Sequence, residues 1–150
     1  RKAGIYGMIG GQAGDIMAES ADEVTGDMLL FIHEKKTAAL IQAAMMIGAI
    51  LAGADADDVE KMERAAYDIG IAFQIQDDIL DVVSTTEVLG KPVGSDAKNE
   101  KLTYVALHGL EKSKEEVERL TQEALEILGS FESSDLFLHE LVKSLINREK

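Results

Sequence analysis

From Asp57 to Val83 the chain holds no proline and sets Val59, Met62, Ala66, Ile69, Phe73 and Leu80 at helical spacing, which predicts one long helix with an apolar face. Helix is the dominant signal elsewhere too. The whole sequence contains a single proline, Pro92, and no sustained apolar–polar alternation bounded by turn residues, so strands have little support. The expected fold class is all-α. With 150 residues, 46% of them hydrophobic, the chain has the size and apolar content of one domain spanning 1–150.

The remaining helices are placed by breaks. A first helix is expected through about Ala18, with Gly4, Gly7, Gly10, Gly11 and Gly14 at spacings that let a neighbour approach closely. A polar break over Ser20–Asp27 precedes a second helix over Met28–Ala52, and Gly53 followed by Asp55 and Asp57 gives a stop and a new amino-terminal cap. Ser84–Leu102 reads as a long loop from its Gly, Pro, Ser, Asp and Asn content, and helices at about Lys114–Leu128 and Asp135–Arg148 complete the chain. Within the second helix, Thr37–Ala54 is apolar but interrupted by Gln42 and dominated by Ala, Gly and Met. A buried helix is expected there, with no membrane insertion.

Charge narrows the partners. Asp and Glu total 28 against 15 Lys and Arg, a net charge of -13, which repels nucleic-acid backbones and anionic bilayers. Phosphorylated small molecules remain accessible through divalent cations or a few well-placed lysines. There is no cysteine, so disulfides and thiolate metal sites are excluded, and a reducing cytoplasm is the expected location.

Against that background Asp77, Asp78 and Asp81 stand out, because the surrounding IAFQIQDDILDVV is otherwise apolar. Asp77 and Asp81 are four apart and Asp78 and Asp81 three apart, so on a helix their oxygens can converge. Placed in the last turns of their helix, they would also oppose its macrodipole. A divalent cation relieves both repulsions, and oxygen donors with no His or Cys nearby point to Mg²⁺. The plainer alternative is a solvated acidic helix end. Lys36 and Thr37, in HEKKTAALI, mark an abrupt polar-to-apolar boundary, where a lysine either reaches solvent or faces a cavity and neutralises a phosphate. Gln74 shares a face with Asp77 and Asp78, and Gln12 shares one with Asp15 beside the first glycines. Lys91 and Lys101 lie in the long loop, from which they could close over a metal-bound phosphate.

Taken together and in order, GGQAGD, HEKKTAALI, FQIQDDILD and LGKPVGSDAKNEKLTY resemble the trans-isoprenyl diphosphate synthase family, most closely its bacterial farnesyl diphosphate synthases. The likeness runs over essentially the whole chain, including the final ELVKSLINREK. It implies the isoprenoid synthase helical bundle and a prenyltransferase that condenses isopentenyl diphosphate with an allylic diphosphate, with farnesyl diphosphate as the product. It further implies that Asp77, Asp78 and Asp81 bind Mg²⁺ bridging the allylic diphosphate, with Asp96 near the metal shell. Lys36, Lys91 and Lys101 would contact that diphosphate. Thr37, Gln74 and the Lys36 carbonyl would face the allylic carbocation, and Gln12 and Asp15 would lie near the allylic substrate. A homodimer is the expected assembly.

One departure is large. The family's first aspartate-rich motif and its isopentenyl-diphosphate segment have no counterpart here; Asp55, Asp57 and Asp58 read as helix caps. The chain is therefore expected to be the carboxy-terminal half of the bundle, with the amino-terminal helices missing, and to be inactive alone. A class I terpene cyclase relative and a non-catalytic helical subunit are the alternatives.

Overall fold

The computed structural model describes residues 1–21, 24–89, 102–131 and 136–146, the side chains of 84–89 excepted. Every described element is helical: α1 (Met8–Glu19), α2 (Gly26–Ile32), a π-helical turn (His33–Ala38), α3 (Ala39–Leu51), α4 (Ala56–Leu89), α5 (Tyr104–His108), α6 (Leu110–Gly129) and α7 (Leu136–Ile146). The all-α expectation holds.

Helix α4 is the axis of the structure, packing against α3, the π turn, α5, α6 and α7. Its buried hydrophobic residues are Ala65, Ala66, Ile69, Ile71, Ala72, Ile75 and Ile79. The predicted apolar face supplies Ala66 and Ile69, but burial extends well around the helix, because neighbours cover it on several sides. Each fully buried isoleucine here contributes about 1.5–3 kcal/mol. Small residues between the isoleucines allow close helix approach. On α6, Val117, Leu120, Ala124 and Leu128 recur at helical spacing and face the shared core, while Arg119 on its outer side pairs with Glu116 and Glu123. That pairing holds the Glu116 carboxyl below its usual range.

Local chemistry sets the helix starts. The Asp55 carboxylate accepts the Asp58 amide at 2.9 Å, as expected for a cap on α4. Thr25 caps α2 and Thr103 caps α5 in the same way, accepting the amides of Met28 and Ala106.

Three boundaries and the burial of one helix differ from expectation. Helix α4 continues to Leu89, since Ser84–Leu89 contains no glycine or proline and the breakers begin only at Gly90 and Pro92. The aspartates therefore lie well inside their helix, and the expected macrodipole penalty does not apply. Helix α6 starts at Leu110, after Gly109 with φ at 84°, and is preceded by the single turn α5, too short to show periodicity. The expected second helix is interrupted by the π turn. Helix α3 is only partly buried: Leu40, Ile47, Ile50 and Leu51 are exposed, because no other described element covers that face. Among the described residues, no helix is long and apolar enough to cross a membrane.

Candidate functional site

The π turn carries HEKKTA, the segment singled out in the sequence for its lysine and threonine. A π turn holds an extra residue and is frequent at functional positions. Two glycines let it pack tightly. A Cβ on Gly11 of α1 would collide with the backbone of Lys35 and Lys36, and one on Gly70 of α4 would come within 2.5 Å of the Ala38 Cα. The turn is thus wedged between α1 and α4, and α1 reaches the rest of the chain mainly through it and α2.

Side chains of the turn then divide among its neighbours. Lys36 extends to α1 and donates from Nζ to Asp15 Oδ2 at 2.6 Å. Asp15 is buried, at 3% exposure, so this cation compensates a carboxylate that burial would otherwise penalise. The Lys36 side chain stays 34% exposed, so it can still meet a ligand. Glu34 extends towards α4 and accepts the Tyr67 hydroxyl at 2.6 Å. Burial, with the nearby Glu34 carboxylate, pushes the Tyr67 hydroxyl well above its ordinary range. His33, buried at the start of the turn, lies with Nε2 3.9 Å from Asp78 Oδ2.

The aspartates themselves are not equivalent. Asp77 and Asp81 are exposed, whereas Asp78 is half-buried, and Asp78 Oδ2 accepts the backbone amide of Tyr104 at 2.7 Å. Thr37, Gln74 and Gln12 are all half-buried. The structure thus joins Lys36 to Asp15 directly, and joins that pair to the aspartate helix through the π turn. Lys91, Asp96 and Lys101 lie outside the described residues.

Sequence reasoning passed over His33 and Tyr104. His33 stands three residues before Lys36, and that spacing within the motif was the available signal. Tyr104 acts through its amide, which no side-chain pattern reveals.

The donor set constrains any metal. Among the described residues no three His, Cys, Asp or Glu side chains gather into a cage. Mg²⁺ does not need one, since it is commonly held by one or two carboxylates together with substrate phosphate and water. Exposed Asp77 and Asp81, one helical turn apart, fit that shared mode of binding. Elsewhere, a cavity of about 430 Å³ opens between α2, α4, α5 and α6, lined by Arg64, Asp68, His108 and Arg119 among others. Its arginines are engaged by Asp68, Glu116 and Glu123, which disfavours an anion there.

Comparison with known proteins identifies the family and the fold. The polyprenyl synthetase profile matches residues 2–141. A geranylgeranyl diphosphate synthase of Cyanophora paradoxa is 42% identical over 95% of this chain and 47% of its own length. Geranylgeranyl pyrophosphate synthase 3, chloroplastic, of Arabidopsis thaliana is 46% identical over 89% of this chain and 38% of its own. Among solved structures, an FPP/GFPP synthase from Zymomonas mobilis superposes with a TM-score of 0.80 at 29% identity, over 95% of this chain and 46% of that one. The chain thus spans less than half the length of these relatives. It is a member of the polyprenyl synthetase family, with the helical fold of the isoprenyl diphosphate synthases.

Proposed function

We propose that the full-length protein carrying this chain is a Mg²⁺-dependent prenyltransferase that condenses isopentenyl diphosphate with an allylic diphosphate. The observation that carries this reading is the wedged π turn, which packs the Lys36–Asp15 pair and the aspartate helix into one unit. Lys36, held by Asp15 yet partly exposed, offers a cation to the diphosphate, and Asp77 and Asp81 hold the metal. Mg²⁺, when bound, supplies positive charge that stabilises the departing diphosphate. The Thr37 hydroxyl, the Gln74 amide oxygen and the Lys36 carbonyl are neutral acceptors of the kind that stabilise an allylic cation without consuming it. Gln12 lies one turn from Asp15 on α1, on the allylic side. Lys91, Lys101 and Asp96 are further proposed contacts.

The product is a short-chain prenyl diphosphate. Farnesyl was the expectation from motifs, while the relatives of higher identity are named for geranylgeranyl, and this shifts the proposal towards the longer product. A homodimer is the proposed assembly. A cytoplasmic location is proposed from the absence of cysteine, with a plastid as the alternative because several relatives are named chloroplastic. The 150-residue chain alone is expected to give no steady-state turnover.

The test is Mg²⁺-dependent binding of a bisphosphonate to the folded full-length protein, together with turnover of isopentenyl and allylic diphosphates. Binding lost in Asp77→Ala supports the proposal. Absence of binding at any Mg²⁺ concentration overturns it in favour of a non-catalytic helical subunit.

A further inference from the structure

We propose that Asp78 is a positioning residue and not a metal ligand: its carboxylate brackets α4 to the first turn of α5 and to the π turn, leaving Asp77 and Asp81 as the metal-facing pair. The metal-facing half of this statement rests on the prenyltransferase reading; the bracket does not.

Helix geometry separates the three aspartates first. At 3.6 residues per turn, Asp77 and Asp81 project about 40° apart around the axis, whereas Asp78 is rotated about 100° from Asp77. Exposure follows that division, with Asp77 and Asp81 exposed and the Asp78 side chain only 17% exposed. The Asp78 carboxylate is turned inward. Its Oδ2 accepts the Tyr104 amide at 2.7 Å, a contact spanning 26 positions in sequence. The same oxygen lies 3.9 Å from Nε2 of His33, whose side chain is 6% exposed. An ionised acceptor makes such a hydrogen bond roughly twice as strong as a neutral one.

Three elements meet at this oxygen, and each carries part of the site or its frame. His33 opens the turn that presents Lys36 and Thr37, Asp78 stands beside Asp77, and Tyr104 begins α5, whose own cap is Thr103. The bracket therefore fixes how the lysine-bearing turn sits relative to the metal-facing carboxylates. Asp78 acts through these neighbours and does not touch substrate.

The experiment compares Asp78→Asn, Asp78→Ala, Asp77→Asn and Asp81→Asn in the full-length protein. Asparagine keeps an oxygen that can accept the Tyr104 amide but is a poor Mg²⁺ ligand; alanine keeps neither property. Asp78→Asn is expected to recover about tenfold in kcat over Asp78→Ala, an effect of the size expected when a buried donor regains its acceptor. Both Asp78 variants should retain the wild-type Mg²⁺ half-saturation, whereas Asp77→Asn and Asp81→Asn should raise it about tenfold or more. Asp78→Asn as inactive as Asp78→Ala, with a raised Mg²⁺ requirement, overturns the proposal. Hydrogen exchange of the Tyr104 amide provides a readout free of turnover. Protection retained in Asp78→Asn and lost in Asp78→Ala supports the bracket; protection unchanged in Asp78→Ala refutes it, even if no prenyltransferase activity is found.

Discussion

Replacing Gly70 by alanine should destabilise the protein and disturb the π turn, although alanine is the better helix former. A Cβ at Gly70 would stand 2.5 Å from the Cα and 2.6 Å from the Cβ of Ala38. Carbon atoms in ordinary contact are about 3.5–4.0 Å apart, so roughly 1 Å must open between α4 and the turn. Backbone atoms cannot rotate away as a side-chain tip can. Overpacking of this kind costs about 1–3 kcal/mol, against a gain of about 1 kcal/mol in helix propensity. The control is Gly48→Ala on α3, where an added Cβ meets nothing within 4 Å and only the propensity gain applies. Propensity cancels between the two variants, so Gly70→Ala should be less stable than Gly48→Ala by about 1–3 kcal/mol. Denaturant unfolding of both full-length variants measures the difference. Because Ala38 adjoins Thr37, Gly70→Ala should also lose activity while Gly48→Ala keeps it. A Gly70→Ala protein as stable as Gly48→Ala would refute the wedge.

Other outcomes follow from the charged groups and caps. Lys36→Met should cost more stability than Asp15→Asn, because it strands a buried carboxylate without this cation, whereas Lys36 left alone can turn to solvent; a difference of roughly 1–2 kcal/mol is expected after allowance for the lysine's exposure. Calorimetry of the two variants at neutral pH decides it. Burial raises the Asp68 carboxyl above its ordinary value of 3.8, outweighing the Arg64 guanidinium beside it. The folded state then holds its proton longer than the unfolded state, so this group's contribution is fully present below 3.8 and lost as pH rises through its folded pKa. Asp68→Asn should remove that decline, and identical slopes of unfolding free energy against pH in variant and wild type would exclude it. Thr25→Ala should lower stability by about 1 kcal/mol through loss of the α2 cap, and an unchanged denaturation midpoint would show that the cap contributes nothing.

Much of the fold was legible because helix leaves a periodic trace. The spacing of Ala66, Ile69 and Phe73 marked α4, Val117 and Leu120 belong to an amphipathic stretch, and Gly53 with Asp55 marked a stop and a start. The π turn was not legible, since His33–Ala38 contains only residues that an α-helix accepts. Its extra residue is stabilised by what it packs against, Gly11 and Gly70, which lie far away along the chain. The same distance hid the Lys36–Asp15 pair and the Asp78–Tyr104 contact. Asp15 and Lys36 could each be flagged by residue type, but their meeting depends on how α1 crosses the turn. Helix-face geometry could have separated Asp78 from its two neighbours; the motif encouraged treating the three alike.

The π turn also bears on how this segment tolerates insertion and deletion. Removing one residue from His33–Ala38 would allow an ordinary α-helix to run unbroken from α2 into α3. Such a helix would keep α2 and α3 in phase, because the π turn already absorbs one extra residue, but the turn itself would narrow to α-helical width. The residues left in the turn would redistribute around the axis, and Lys36 would lose its alignment with Asp15 of α1. The length of this six-residue segment is accordingly as much a part of the site as the residues in it.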